Sequence, residues 1–109
     1  MRKAEAVKKL FASYVANRKD IVETLLTEDF TFSSPRDDRI DKATYFERCW
    51  PQPPVFRDII IERLFENGDD VIVGYRAEKI TGAAFRNLEL IEFRGDRISS
   101  VEVYFGRDI

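Results

Sequence analysis

Histidine is missing from all 109 residues, and cysteine occurs once, at Cys49. Without an imidazole there is no Ser/His/Asp or Cys/His arrangement to activate a nucleophile. One thiol and no imidazole cannot make a tetrahedral zinc set either, so no metal is expected. A lone cysteine closes no internal disulfide, which fits a reducing compartment and makes the cytoplasm the expected location. The chain has no apolar run long enough for a membrane span, and its start is charged and amphipathic from Met1 onward, unlike a signal peptide. Nor is there an excess of one charge. Eighteen basic residues stand against twenty acidic ones, for a net charge of -2, and the two signs are interspersed. That argues against a phosphate-tracking surface and so against nucleic acid as a partner. Arg2, Lys3, Lys8 and Lys9 do cluster, but Glu5 lies among them and no stacking aromatics interleave. They read as the solvated face of a helix.

Apolar material is plentiful. The composition is 44% hydrophobic and 13% aromatic, enough to offset chain entropy over a single domain spanning residues 1–109 without disulfides. From Arg2 to about Ala16, the residues Ala6, Val7, Leu10, Phe11, Tyr14 and Val15 recur at helical spacing with lysines opposite. Asp20 is placed to cap a short second helix carrying Ile21, Val22, Leu25 and Leu26. The period then changes: Phe30 and Phe32 alternate with small polar residues up to Pro35, the mark of a strand with one buried face. The run Arg36, Asp37, Asp38, Arg39 reads as a charged loop. Asp41 is the expected cap of a third helix through Tyr45, Phe46, Cys49 and Trp50, which Pro51, Pro53 and Pro54 stop.

The remainder reads as a meander of four long strands, at about residues 56–65, 71–80, 84–93 and 98–105. Each connection carries a glycine suited to a hairpin turn or its bulge: Gly68, Gly82 and Gly95. Ile59, Ile60 and Ile61, and then Leu88, Leu90, Ile91 and Phe93, put apolar side chains on both faces of the sheet. Helices cover one face, so the other is expected to meet a second copy of the chain in a homodimer, the alternative being that local curvature buries part of it within the monomer.

This order of elements resembles the nuclear transport factor 2-like superfamily, in particular its SnoaL-like branch. The stretches that carry the resemblance are DIVETLLTEDFTFSSP, from Asp20 to Pro35, and LIEFRGDRI, from Leu90 to Ile98, continued through Val103, Tyr104, Phe105 and Gly106. The resemblance implies an α+β fold in which a cone-like, curved antiparallel sheet wraps around the amino-terminal helices and leaves an apolar pocket. Members of that superfamily include ketosteroid isomerases, polyketide cyclases, small dehydratases, epoxide hydrolases and noncatalytic binding or dimerisation modules. The resemblance therefore implies a small apolar carbonyl compound, bound or transformed by cofactor-free acid/base chemistry. A noncatalytic ligand-binding or dimerisation module is the alternative.

Carried over residue by residue, the isomerase pattern puts its base at Ser34, and a serine cannot serve there without a partner for its own proton. The phenol of that pattern falls at Leu10, one helical turn from Tyr14. Its protonated acid falls at or near Glu89. Glu89 and Tyr14 are thus the candidate catalytic residues, and Phe32, Ser34, Phe46, Trp50, Asn87, Ile91, Phe93, Val101 and Val103 the candidate ligand contacts. Facing is left open by the sequence. A strict two-residue turn at Gly95 and Asp96 pairs Glu89 with Glu102 on an outer position, whereas a bulged turn groups Asn87, Glu89, Ile91 and Phe93 with Val101, Val103 and Phe105.

Overall fold

The computed structural model describes residues 1–109. Helix α1 (Lys3–Ala16) lays Ala6, Val7, Leu10 and Phe11 on the sheet. It stops at Asn17, which adopts the left-handed conformation at φ 55° and turns its backbone N–H back to the last helical turn; asparagine tolerates this geometry better than most residues. Helix α2 (Lys19–Leu25) follows at once. Asp20 does not cap it: the cap position is Arg18, and the Asp20 carboxylate lies in the first turn, paired with that arginine. Asp41 does cap helix α3 (Lys42–Cys49), accepting the Thr44 N–H at 2.9 Å.

Six strands form one curved sheet: β1 (Leu26–Ser34), β2 (Asp37–Asp41), β3 (Phe56–Asn67), β4 (Asp70–Lys79), β5 (Ala84–Arg94) and β6 (Arg97–Asp108), in the order β2-β1-β6-β5-β4-β3. Two features depart from the sequence reading. The run 36–39 is expected as a charged loop, but residues 37–41 form edge strand β2, hydrogen-bonded antiparallel to β1. Their charges carry no alternation; β1 alone templates them. In addition, β1 runs parallel to β6, so one contact of the sheet is parallel and the rest are antiparallel.

The turn after β5 is tight, with Arg94 opposite Arg97 and Gly95 at φ 63°. One step further the register slips. Glu92 pairs with Ser100 but Phe93 with Ile98, so Ser99 is an extra residue bulged out of β6. Beyond the bulge Glu89 faces Val103 and Ile91 faces Val101. A two-residue turn and the shifted grouping therefore coexist, because the additional residue sits in the strand rather than in the turn.

The inner face of the sheet is apolar and closed over by helices: Val7 and Val22 pack with Val71, Val73, Ile91 and Ile98, none more than 2% exposed. Burying each such side chain contributes about 1.5–3 kcal/mol relative to exposure. The outer face is uncovered, with Phe65, Ile72, Leu88 and Tyr104 between 46% and 62% exposed. No helix is long and apolar enough to cross a membrane.

Candidate active site

The space between sheet and helices is an apolar cavity of about 140 Å3. Leu10, Phe11 and Tyr14 of α1 form one wall, Phe30 and Phe32 of β1 another, and Tyr45 and Cys49 of α3 a third; Tyr75, Glu89, Val101 and Val103 come from the sheet. A cavity of about 150 Å3 with such a lining is large enough for benzene.

Glu89 is the one carboxylate on this wall. It is 8% exposed, brought inward by the register that the Ser99 bulge sets. Its Oε2 accepts a 2.6 Å hydrogen bond from the Tyr75 hydroxyl, which accepts in turn from Asn87 Nδ2 at 3.3 Å. The Asn87 carbonyl oxygen is itself held by the Gly106 N–H at 3.0 Å. A chain of donors thus runs from the backbone of β6 through Asn87 and Tyr75 to the acid. Burial raises the Glu89 carboxyl from an ordinary 4.5 to about 7, against the opposing effect of the Tyr75 hydrogen bond. Burial also pushes both Tyr75 and Tyr14 well above the usual phenol value, and the nearby Glu89 charge adds to each. Both phenols stay protonated at any ordinary pH and can only donate or accept hydrogen bonds.

Chemically this gives a carboxyl group poised between its two states, with Oε2 fixed and Oε1 free of protein partners. Protonated, Oε1 can donate to a ligand oxygen; ionised, it can take a proton from an adjacent carbon or hydroxyl. Tyr14 lines the same cavity, with its phenol raised by burial. Cys49 also reaches the cavity, but burial and the Asp37 carboxylate raise its thiol, so it stays protonated and unreactive.

Of the residues singled out from sequence, Glu89, Tyr14, Phe32, Val101 and Val103 meet around this cavity. The others lie elsewhere. The Ser34 hydroxyl turns away to accept the Arg36 N–H in the β1–β2 turn. Trp50 stacks on Tyr14 with ring centres 5.0 Å apart and donates its indole N–H to Asn17 at 2.7 Å, so it braces the α1 end from behind. Phe46 packs on Tyr45 and Trp50 rather than on the cavity. Ile91 and Phe93 are core residues deeper along β5, and Asn87 acts behind Tyr75. Tyr75 is the member that sequence reasoning missed. Its signal was its parity with Val71, Val73 and Ala77, which puts it on the inner face opposite Asn87.

A scan against protein-family models finds no match to this chain, and a search of curated proteins finds none. Solved structures do match. One is an NTF2-like protein of unknown function from Cytophaga hutchinsonii, with TM-score 0.79 and 20% identity over 97% of this chain and 91% of the other. IdmH, a candidate polyketide cyclase from Streptomyces antibioticus, superposes with TM-score 0.78 at 16% identity over 94% and 91%. An LEH-like epoxide hydrolase from M. tuberculosis does so with TM-score 0.75 at 21% identity over 94% and 80%. In each, helices pack into a curved sheet as they do here, and the chain has the NTF2-like fold.

Proposed function

We propose that the protein binds a compound of single-ring size carrying a carbonyl or hydroxyl group, and moves a proton on it with Glu89, without a metal or cofactor. The observation that carries this reading is a lone carboxyl, 8% exposed, on the wall of a 140 Å3 apolar cavity, with one oxygen anchored by Tyr75 and the other unengaged. Tyr14 supplies a second hydroxyl from the opposite side, suited to hold the ligand oxygen while Glu89 works. Phe32, Val101 and Val103 supply the apolar contacts. The small-molecule enzymes among the structural relatives, a candidate polyketide cyclase and an epoxide hydrolase, are in keeping with the reading. One free thiol and no disulfide make the reducing cytoplasm the proposed compartment. The uncovered outer face of the sheet is proposed as the place of a second copy of the chain.

The test uses benzene, as a probe of size, and cyclohexanone, as a probe of chemistry. Benzene should perturb the NMR signals of Val101 and Val103 in the wild type and in Glu89→Gln alike. Exchange of the cyclohexanone α-protons with D2O should be accelerated by the wild type, fall at least tenfold in Glu89→Gln, and rise through pH 7. A second reading, a noncatalytic binding module, draws on the single carboxyl and on Ser34 at the place of the isomerase base. Benzene binding with no exchange above background would establish it and remove the catalytic assignment. Absence of benzene binding would remove both.

A further inference from the structure

Strand β6 carries a second irregularity beyond Ser99. Arg86 of β5 pairs with Arg107, but the next residue, Asn87, pairs with Phe105, so Gly106 stands outside the ladder as a bulge. The place admits no larger residue, because a side-chain carbon there would run into the Arg86 carbonyl oxygen. Left out of the strand pairing, the Gly106 N–H donates instead to the Asn87 side chain, at 3.0 Å.

The polarity of that contact propagates. A backbone N–H can only donate, so the Asn87 atom facing Gly106 is the carbonyl oxygen and the atom facing Tyr75 is the amide nitrogen. That nitrogen can only donate in its turn. The Tyr75 hydroxyl accepts from it at 3.3 Å, which leaves the single hydroxyl hydrogen for the other partner of the phenol, Glu89 Oε2, at 2.6 Å. The reverse arrangement, with a protonated Oε2 donating to Tyr75, would strand the Tyr75 hydrogen without a protein acceptor on a side chain only 7% exposed, and a buried donor left unmade bears its full desolvation cost. Oε2 therefore accepts whether the carboxyl is charged or neutral. Burial and the neighbouring Glu89 raise the Tyr75 phenol, and the Asn87 hydrogen bond is the one influence that opposes them; by drawing on the phenol oxygen it makes Tyr75 a stronger donor to the acid.

We infer that Asn87 is a positioning residue for the acid: held by the Gly106 bulge, it orients the Tyr75 hydroxyl so that the exchangeable proton of Glu89 resides on Oε1, the oxygen left free for a ligand. Asn87 is not part of the cavity wall and acts through Tyr75. The chain orients and does not conduct, since its far end is a backbone amide that releases no proton. Uptake and donation of the proton then occur at one atom, with no rotation of the carboxyl between them. This inference deepens the proposed proton transfer and rests on it for its functional meaning.

Infrared spectroscopy of the full chain without ligand tests it. The carbonyl band of neutral Glu89 is isolated as the difference between spectra at about pH 5 and about pH 9, on either side of the Glu89 value of about 7, that is lost in Glu89→Gln. A carboxyl C=O that accepts a hydrogen bond absorbs at lower wavenumber than a free one. With the proton on Oε1 the carbonyl oxygen is Oε2, so the wild-type band should lie at the hydrogen-bonded position and shift up to the free position in Tyr75→Phe. Asn87→Asp keeps the size of the side chain and the acceptor for Gly106 but faces Tyr75 with a charged acceptor in place of a donor. The Tyr75 hydrogen should turn to the new carboxylate, the Glu89 band should rise as far as in Tyr75→Phe, and the pH profile of cyclohexanone exchange should move upward together with the Glu89 titration. A wild-type band already at the free position puts the proton on Oε2 and overturns the inference, whether or not Asn87→Asp folds. A band unmoved in a folded Asn87→Asp overturns the role of Asn87. Bands as expected in a wild type that exchanges no cyclohexanone protons would remove the proposed reaction and support the orientation of the acid.

Discussion

Glu89 sits among hydrophobic neighbours where its ionised form is poorly solvated, and folding stability must report this. Because its folded value is raised to about 7 from an ordinary 4.5, the folded chain binds more protons than the unfolded chain between those two pH values. Stability therefore falls as pH rises through that window, by about 3 kcal/mol in all. The exposed carboxylates with lowered values, such as Asp29 beside Arg94, act in the opposite direction and at lower pH, so the two effects separate. Urea denaturation at pH 5 and pH 8 should show the loss in the wild type and a nearly flat profile in Glu89→Gln. Tyr75→Phe removes the one hydrogen bond that opposes the shift; the Glu89 titration, followed by carbon NMR, should move above 7. In the sequence Glu89 stood out only through the family resemblance, and its facing stayed open because β5 carries apolar residues of both parities. Its partner did not stand out, because a tyrosine in a buried strand looks the same whether its hydroxyl is idle or engaged.

Elements followed the sequence wherever a local signal sufficed. Asp41 and its three-residue reach to Thr44 mark the start of α3, and Asp41→Ala should cost about 1 kcal/mol in thermal or urea unfolding while leaving ligand binding unchanged. Glycines marked the hairpins. Two features, strand β2 and the position of the Ser99 bulge in β6, were not located from sequence for a shared reason, namely that each is imposed by a neighbouring strand. Residues 37–41 become β2 only because β1 offers them a free edge, and no property of their own side chains predicts it. Ser99 leaves the ladder because Ile98 and Val101 must both face inward although an odd number of steps separates them. Hydrophobic parity on the two sides of Ser99 contains that information, and it can be read once the tight Gly95–Asp96 turn is known.

At the scale of the whole molecule, the helical and strand periodicities marked the two layers, whereas the pocket between them was implied only by the family resemblance. The arrangement of charge on the outer face could not be read in the same way. Asp70, Glu92, Arg76, Arg86 and Arg107 are unremarkable along the chain and become two opposed rows only after registers are fixed. The sheet does not close, and its two borders are unequal, one being β2 with five residues and the other β3 with twelve. A long free border is where chains polymerise edge to edge. β3 carries Arg57, Asp58, Glu62, Arg63 and Glu66 along its length, and replacing Asp58, Glu62 and Glu66 together by valine should turn a clear solution into one that scatters light and binds thioflavin. Those charges bar the route to an endless ribbon along this border.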